Sequence, residues 1–177
     1  MLQVANYKKQ GFTIIEFLVI VSLISILSAV FILTSQQEEK KLAVQRSTFK
    51  LYQDSREVEE LAMAAQEFEC PGGKTYVYGM YFHLQEPNYY IIFADCNANF
   101  HKDSSDVEIR KVSLERGVEI YSVDPSPLNI VFAPPEPIIY VNGFASGREA
   151  LITIGLADDL TSQKTIKINT AGRIEIE

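Results

Sequence analysis

The chain has little of the material from which most catalytic and metal sites are built. It contains no tryptophan, two cysteines and two histidines among 177 residues. Cys70 and Cys96 are too few for a disulfide-dense scaffold or a four-cysteine zinc site. His83 and His101 leave equally little for a histidine-based metal site or a catalytic triad. Signatures such as G-x-S-x-G, H-E-x-x-H and glycine-rich phosphate loops are absent. We therefore predict that the protein is not an enzyme and has no cofactor.

Positive charge is also scarce. Sixteen Lys and Arg residues stand against 23 Asp and Glu residues, which gives a net charge of −7 and a pI of about 4.9. Beyond residue 35 the imbalance is larger, with 14 basic and 22 acidic residues and a net charge of −8. A surface of this charge repels the phosphate backbone at ordinary salt concentration. We therefore predict that the chain by itself binds no nucleic acid.

Charge is missing altogether between Phe17 and Gln37. Within the overlapping run Ile14–Leu33, 16 of 20 residues are apolar, and the exceptions are Glu16, Ser22, Ser25 and Ser28. Twenty helical residues span about 30 Å, the thickness of the hydrocarbon core of a bilayer. A membrane anchor accounts for this run, whereas a signal peptide would have a shorter apolar region, and a buried soluble helix would normally be shorter and more interrupted.

A specific motif leads into the apolar run, namely Lys8-Lys9-Gln10-Gly11-Phe12-Thr13-Ile14-Ile15-Glu16-Phe17-Leu18-Val19. It resembles the prepilin signature of type IV pilins and pseudopilins. The two lysines before the run favour a cytoplasmic N-terminus. The resemblance implies a single-pass inner-membrane precursor with its C-terminus outside, which later enters an extracytoplasmic filament.

The resemblance also implies how the N-terminus is used. Prepilin peptidase would cut between Gly11 and Phe12 and N-methylate Phe12. Thr13 and Glu16 would serve assembly, with Glu16 paired to the α-amino group of a neighbouring Phe12. Two charges that are costly alone in an apolar bundle become tolerable when paired, and the pairing sets the axial register. The implied partners are prepilin peptidase, other pilin or pseudopilin subunits, the inner-membrane assembly platform and membrane lipid.

The three serines of the run recur at every third position. Such a stripe lets helices approach closely in a membrane. The alternative interpretation is that the hydroxyls bond back to carbonyl groups of their own helix.

Beyond the anchor, the pattern predicts an α+β fold. Residues 36–69 contain no Pro and no Gly and are rich in helix formers, so one helix is expected from Phe12 to about Glu67. Cys70-Pro71-Gly72-Gly73 ends it, and short strands with a period of two follow, separated by turn signals. The predicted segments are a leader (1–11), an assembly helix (12–35), an amphipathic continuation (36–69) and an antiparallel β domain (70–177).

The β region resembles, more weakly, the GspH/FimT group of minor pseudopilins and minor pilins. The resemblance is carried by Val77–Phe82, Tyr90–Asp95, Ile130–Phe132 and the closing segment Ile166–Ile174. It implies successive strands that end in a strand-Gly-Arg-strand hairpin. Some members of the group take part in DNA uptake through a C-terminal Gly-Arg-x-Arg pattern, but Glu175 replaces the second Arg here.

The two cysteines lie 26 residues apart, on either side of the first predicted strand. A domain outside the cytoplasmic membrane permits a persistent disulfide, so we favour a Cys70–Cys96 bond over two half-buried thiols.

One loop has the alternating oxygens of a calcium loop, in Asp95, Asn97, Asn99 and Asp106. Phe100 stands where that loop needs Gly, and Asp replaces the usual Glu at the twelfth position. We therefore interpret the segment as a polar loop with Asx turns.

Taken together, these patterns predict a structural minor subunit of a type IV pilus or a type II secretion-like pseudopilus. The alternatives are a major pilin, or an adhesin or substrate-binding module displayed on the filament. The only indication of the last class is an aromatic cluster, comprising Tyr76, Tyr78, Tyr81, Phe82, Tyr89 and Tyr90. On alternating strands such residues are more often core and cross-strand packing.

Overall fold

The computed structural model describes residues 13–135 and 138–177, with side chains described except at residues 32–34, 36 and 160. Within this part of the chain, one helix is followed by eleven strands, and every strand pairing is antiparallel. The elements are α1 (Ile14–Met63), β1 (Phe68–Cys70), β2 (Gly73–Thr75), β3 (Tyr78–Phe82), β4 (Tyr89–Ala94), β5 (Val107–Ser113), β6 (Val118–Asp124), β7 (Leu128–Ala133), β8 (Ile138–Val141), β9 (Glu149–Leu156), β10 (Asp159–Asn169) and β11 (Ile174–Ile176). The predicted α+β fold class is confirmed.

The chain divides into two compact units, Met1–Glu39 and Lys40–Glu177. In the first unit, the window Ile14–Phe31 has a mean hydropathy of 2.7 and none of it is buried. This helical window is long and apolar enough to cross a membrane. The hydroxyls of Ser22 and Ser25 each donate to a carbonyl of their own helix at 2.8 Å. For these two serines the structure therefore favours the second interpretation of the stripe.

In the second unit, one face of α1 packs into the core. Its buried apolar residues are Ala43, Val44, Leu51, Val58 and Ala62. They share a single core with the inner faces of two sheets. The five-stranded sheet has the order β5-β4-β3-β7-β8, the four-stranded sheet has the order β11-β10-β9-β6, and β1 and β2 form a separate hairpin.

Helix α1 ends at Met63, earlier than the predicted end near Glu67. Gln66 N–H donates to the Leu61 carbonyl at 3.1 Å and Ala65 N–H donates to the Ala62 carbonyl at 3.0 Å. With Ala65 at a φ of 44°, this is the Schellman pattern, in which the residue after the helix adopts the left-handed conformation. Sequence inspection missed this end because the position usually holds Gly or Asn.

A polar clamp holds α1 to the five-stranded sheet. The Tyr90 hydroxyl on β4 donates to the Asp54 carboxylate on α1, and both side chains are buried. Arg110 on β5 donates to Asp54 at 3.3 Å and to Glu57 at 2.7 Å. The buried Asp54 carboxylate therefore accepts from a neutral and from a charged donor. These bonds offset the cost of burying an ionisable group.

The clamp makes stability depend on pH in the alkaline range. Burial, followed by the hydrogen bond to Asp54, raises the pKa of the Tyr90 hydroxyl above its ordinary value of 10.0. The unfolded chain therefore loses this proton first, so the stabilisation is complete below pH 10 and falls as the pH rises further. In urea titrations between pH 9 and 11, we expect the free energy of unfolding of the wild type to fall by up to about 1.4 kcal/mol per pH unit because of Tyr90, and Tyr90→Phe should remove this fall. Tyr121→Phe, at an exposed tyrosine, is the control, and an equal decline in both variants would contradict the prediction.

Candidate functional site

The first turn of α1 is closed by a reciprocal pair of side chains. Thr13 N–H and the Thr13 hydroxyl both donate to Glu16 Oε2 at 3.1 Å, and Glu16 N–H donates to Thr13 Oγ1 at 3.3 Å. Phe17 N–H donates to the Thr13 carbonyl at 3.2 Å and begins the helical bonding. This is a capping box, with Thr13 as the N-cap residue and Glu16 three residues later.

The capping box gives both residues a second role that the sequence analysis missed. The signal was present as Thr13-Ile14-Ile15-Glu16, which fits the pattern T-x-x-E before an apolar run. A carboxylate in the first turn also interacts favourably with the positive end of the helix dipole. Among the described residues, no hydrogen bond engages Glu16 Oε1. Gly11 and Phe12, the predicted cleavage and methylation positions, lie outside the described residues.

The two cysteines are joined in a disulfide with a Cα–Cα distance of 5.7 Å. Cys70 is the last residue of β1, and Cys96 follows the end of β4. The bond therefore ties the β1–β2 hairpin that follows the helix to the end of β4 in the five-stranded sheet.

The loop after β4 uses its carboxylates to bind its own backbone. The Asp95 oxygens accept N–H groups from Asn99 at 3.3 Å and from Phe100 at 2.8 Å. The Asp106 oxygens likewise accept two backbone N–H groups, at 3.0 and 2.8 Å. Burial is the main cause of a raised pKa at Asp95, whose side chain is fully buried. These are the contacts of an Asx-type loop.

The other two calcium candidates, Asn97 and Asn99, both bind the carboxylate of Asp103. The amides of Asn97 and Asn99 donate to Asp103 Oδ2 at 2.9 and 2.5 Å. The backbone N–H of Ser105 is the main cause of a lowered pKa at Asp103. In residues 13–135 and 138–177, no group of three or more His, Cys, Asp or Glu side chains is placed to hold a metal ion. The absence of a cofactor stays a prediction from the sequence.

In the C-terminal hairpin, the positive charge of an arginine is paired with a nearby carboxylate. Strands β10 and β11 pair around a turn in which Gly172 has a φ of 89°. Arg173 forms an ion pair with Glu175, the residue that replaces the second Arg of the DNA-uptake pattern. This pairing lowers the positive charge available for a phosphate group.

The structure divides the aromatic cluster into two sets. The residues that face the helix are fully buried, and they are Tyr78, Phe82 and Tyr90. Tyr81 and Tyr89 are half-buried on the opposite face of the same sheet, and Tyr76 is exposed. The core interpretation is therefore confirmed for the first set, while Tyr81 and Tyr89 pack against a smaller buried cluster around Phe93.

The N-terminal part of the chain is similar to a known protein family. Residues 6–32 match the family model described as the prokaryotic N-terminal methylation motif. No curated protein and no solved structure matches the chain. The matched segment contains the predicted cleavage bond, the capping box and the whole apolar window Ile14–Phe31. Together with the exposed apolar helix, the match supports a type IV prepilin-like protein anchored in a membrane.

Proposed function

We propose that the chain is a minor structural subunit of a type IV pilus or a type II secretion-like pseudopilus, of the GspH/FimT type. Prepilin peptidase cuts between Gly11 and Phe12 and methylates Phe12. Before assembly, the mature subunit is anchored in the inner membrane with its C-terminus outside. The assembly platform then moves it into a filament with other subunits. The observation that carries this proposal is the methylation motif at residues 6–32, which includes the unburied apolar helical window Ile14–Phe31.

The geometry of the first turn supports a role for Glu16 in assembly. The capping box uses Glu16 Oε2, while Oε1 has no hydrogen-bond partner within the described residues. A carboxylate held in this way can stabilise the start of its own helix and accept a neighbour's α-amino group through the second oxygen. A fixed carboxylate also loses less side-chain entropy when the pair forms.

Two other functions are consistent with the same N-terminal processing. A major pilin would have the same processing but would form the bulk of the fibre, so subunit abundance in purified filaments separates the two. A displayed binding module would need a ligand site on the second unit.

Co-expression with a prepilin peptidase tests the proposal directly. We expect an intact mass and an N-terminal sequence that correspond to a chain beginning at methylated Phe12. Gly11→Glu should block the cut, because a large charged side chain replaces the smallest residue at the scissile bond. Gln10→Ala, one residue earlier, is the matched control and should be cut normally. An uncut chain, or a cut near Ala29, would refute the proposal.

A further inference from the structure

The outer face of the five-stranded sheet carries a row of rings that lies apart from the core shared with α1. Tyr81, His83 and Tyr89 lie side by side, with centroid distances of 5.4 Å from Tyr81 to His83 and 5.7 Å from His83 to Tyr89. At the end of the row, Lys111 Nζ lies 3.4 Å from the Tyr89 ring centroid. All three rings are half-buried, and Tyr81 and Tyr89 pack against a small second cluster of buried residues around Phe93.

An open cleft adjoins this row. It has a volume of about 520 Å³, within the range of small-molecule sites. Its lining combines apolar and polar side chains and consists of Tyr81, His83, Leu84, Gln85, Ser126 and Pro127. Its walls come from the end of β3 and from the turn before β7, so two tightly packed strands hold them in place.

In the described part of the chain, three polar groups of the cleft are uncommitted, whereas His83 Nε2 lies 3.6 Å from a carboxylate oxygen of Glu86. Within the described residues, no intrachain hydrogen bond engages the Tyr81 hydroxyl, the Gln85 amide or the Ser126 hydroxyl. By contrast, the Tyr89 hydroxyl at the far end of the row donates to Glu86. Three neutral groups, each able to donate and to accept, therefore converge beside an aromatic surface.

We propose that this cleft binds a neutral saccharide segment of one or two sugar rings. A sugar ring has an apolar C–H face that suits the Tyr81 ring. Its hydroxyl edge can both donate to and accept from Gln85 and Ser126. The net charge of −8 beyond residue 35 disfavours polyanionic ligands such as nucleic acid.

A peptide fits this site less well. Strand β3 lies between β4 and β7, so it has no free edge to which a peptide strand could add. A proline-rich peptide needs no strand edge and docks on aromatic grooves, so it is the competing ligand to test. The saccharide proposal is independent of N-terminal processing, because every lining residue lies in the second unit.

The test uses the full chain in lipid nanodiscs, which avoids detergents with sugar headgroups. An array of neutral and acidic di- and tetrasaccharides identifies binders, and calorimetry with the best neutral binder gives the affinity. We expect Tyr81→Ala to weaken binding about tenfold and Gln85→Ala about threefold, because each removes a contact group. Tyr121→Ala, at an exposed tyrosine on β6, is the matched control and should leave the affinity unchanged.

The outcomes separate the proposal from its competitors. Gln85 is exposed, so Gln85→Ala remains informative if Tyr81→Ala fails to fold. Binding of a neutral saccharide that both cleft variants weaken supports the proposal. Three results overturn it, namely no neutral binder on the array, an affinity unchanged in either cleft variant that folds, or binding of decaproline in place of any saccharide.

Discussion

Replacing both Cys70 and Cys96 by serine should lower the free energy of unfolding by about 3–4 kcal/mol. The bond closes a loop with a sequence separation of 26 residues, and the chain-entropy model assigns a loop of this size a stabilisation of that order. The loss is a large fraction of the 5–15 kcal/mol that stabilises a typical domain. It should also loosen β1 and β2, because they pair only with each other in the described sheets.

Urea unfolding followed by circular dichroism, with the chain in nanodiscs, measures this effect. The wild-type chain treated with reductant is the control, and it should lose the same amount of stability. Reductant should leave the serine variant unchanged. Equal unfolding midpoints for the oxidised wild type and the variant would show that the bond contributes nothing.

Asp54→Ala should lower the free energy of unfolding by about 2–3 kcal/mol. The substitution leaves the buried Tyr90 hydroxyl without its acceptor and removes one of the two carboxylates that bind Arg110. An unsatisfied buried polar group costs about 1–3 kcal/mol, and hydrogen bonds to charged groups contribute about 1.5–3 kcal/mol. Glu60→Ala, at an exposed position on the same helix, is the matched control and should change stability by less than about 0.5 kcal/mol.

A double-mutant cycle with Tyr90→Phe isolates the pair. If the hydroxyl and the carboxylate act together, Asp54→Ala should cost less in the Tyr90→Phe background, with a coupling energy of about 0.5–3 kcal/mol. Additive losses would show that the two residues stabilise the protein independently. That result would contradict a stabilising hydrogen bond between Tyr90 and Asp54 in the clamp.

Features that depend only on neighbouring residues could be predicted from the sequence. The apolar run and the motif around Gly11 depend only on residues close in sequence. The strand segments followed from a side-chain period of two and from turn residues such as Gly172. The capping box was equally local, since Thr13 and Glu16 are three residues apart, and it was missed because the motif was interpreted only as a signal for processing and assembly.

The helix end shows where local reasoning failed. A Schellman end normally has Gly at the left-handed position, yet Ala65 occupies it. A left-handed alanine costs about 1–2 kcal/mol, so surrounding contacts must compensate for it. One such contact is the Tyr78 hydroxyl, which donates to the Gln66 carbonyl at 2.7 Å. That contact joins residues 12 apart, and no pattern within the helix predicts it.

The sequence by itself determined the apolar helix, the methylation motif, the α+β class and the presence of antiparallel strands after the helix, because each depends on periodicity or on neighbouring residues. Only the tertiary structure decided which aromatic side chains are core and which form the outer row. It also decided that Asp54 meets Tyr90 and Arg110, which lie 36 and 56 residues away. Such contacts depend on strand register and on how the helix packs, because a one-residue shift in register would place each side chain on the opposite face.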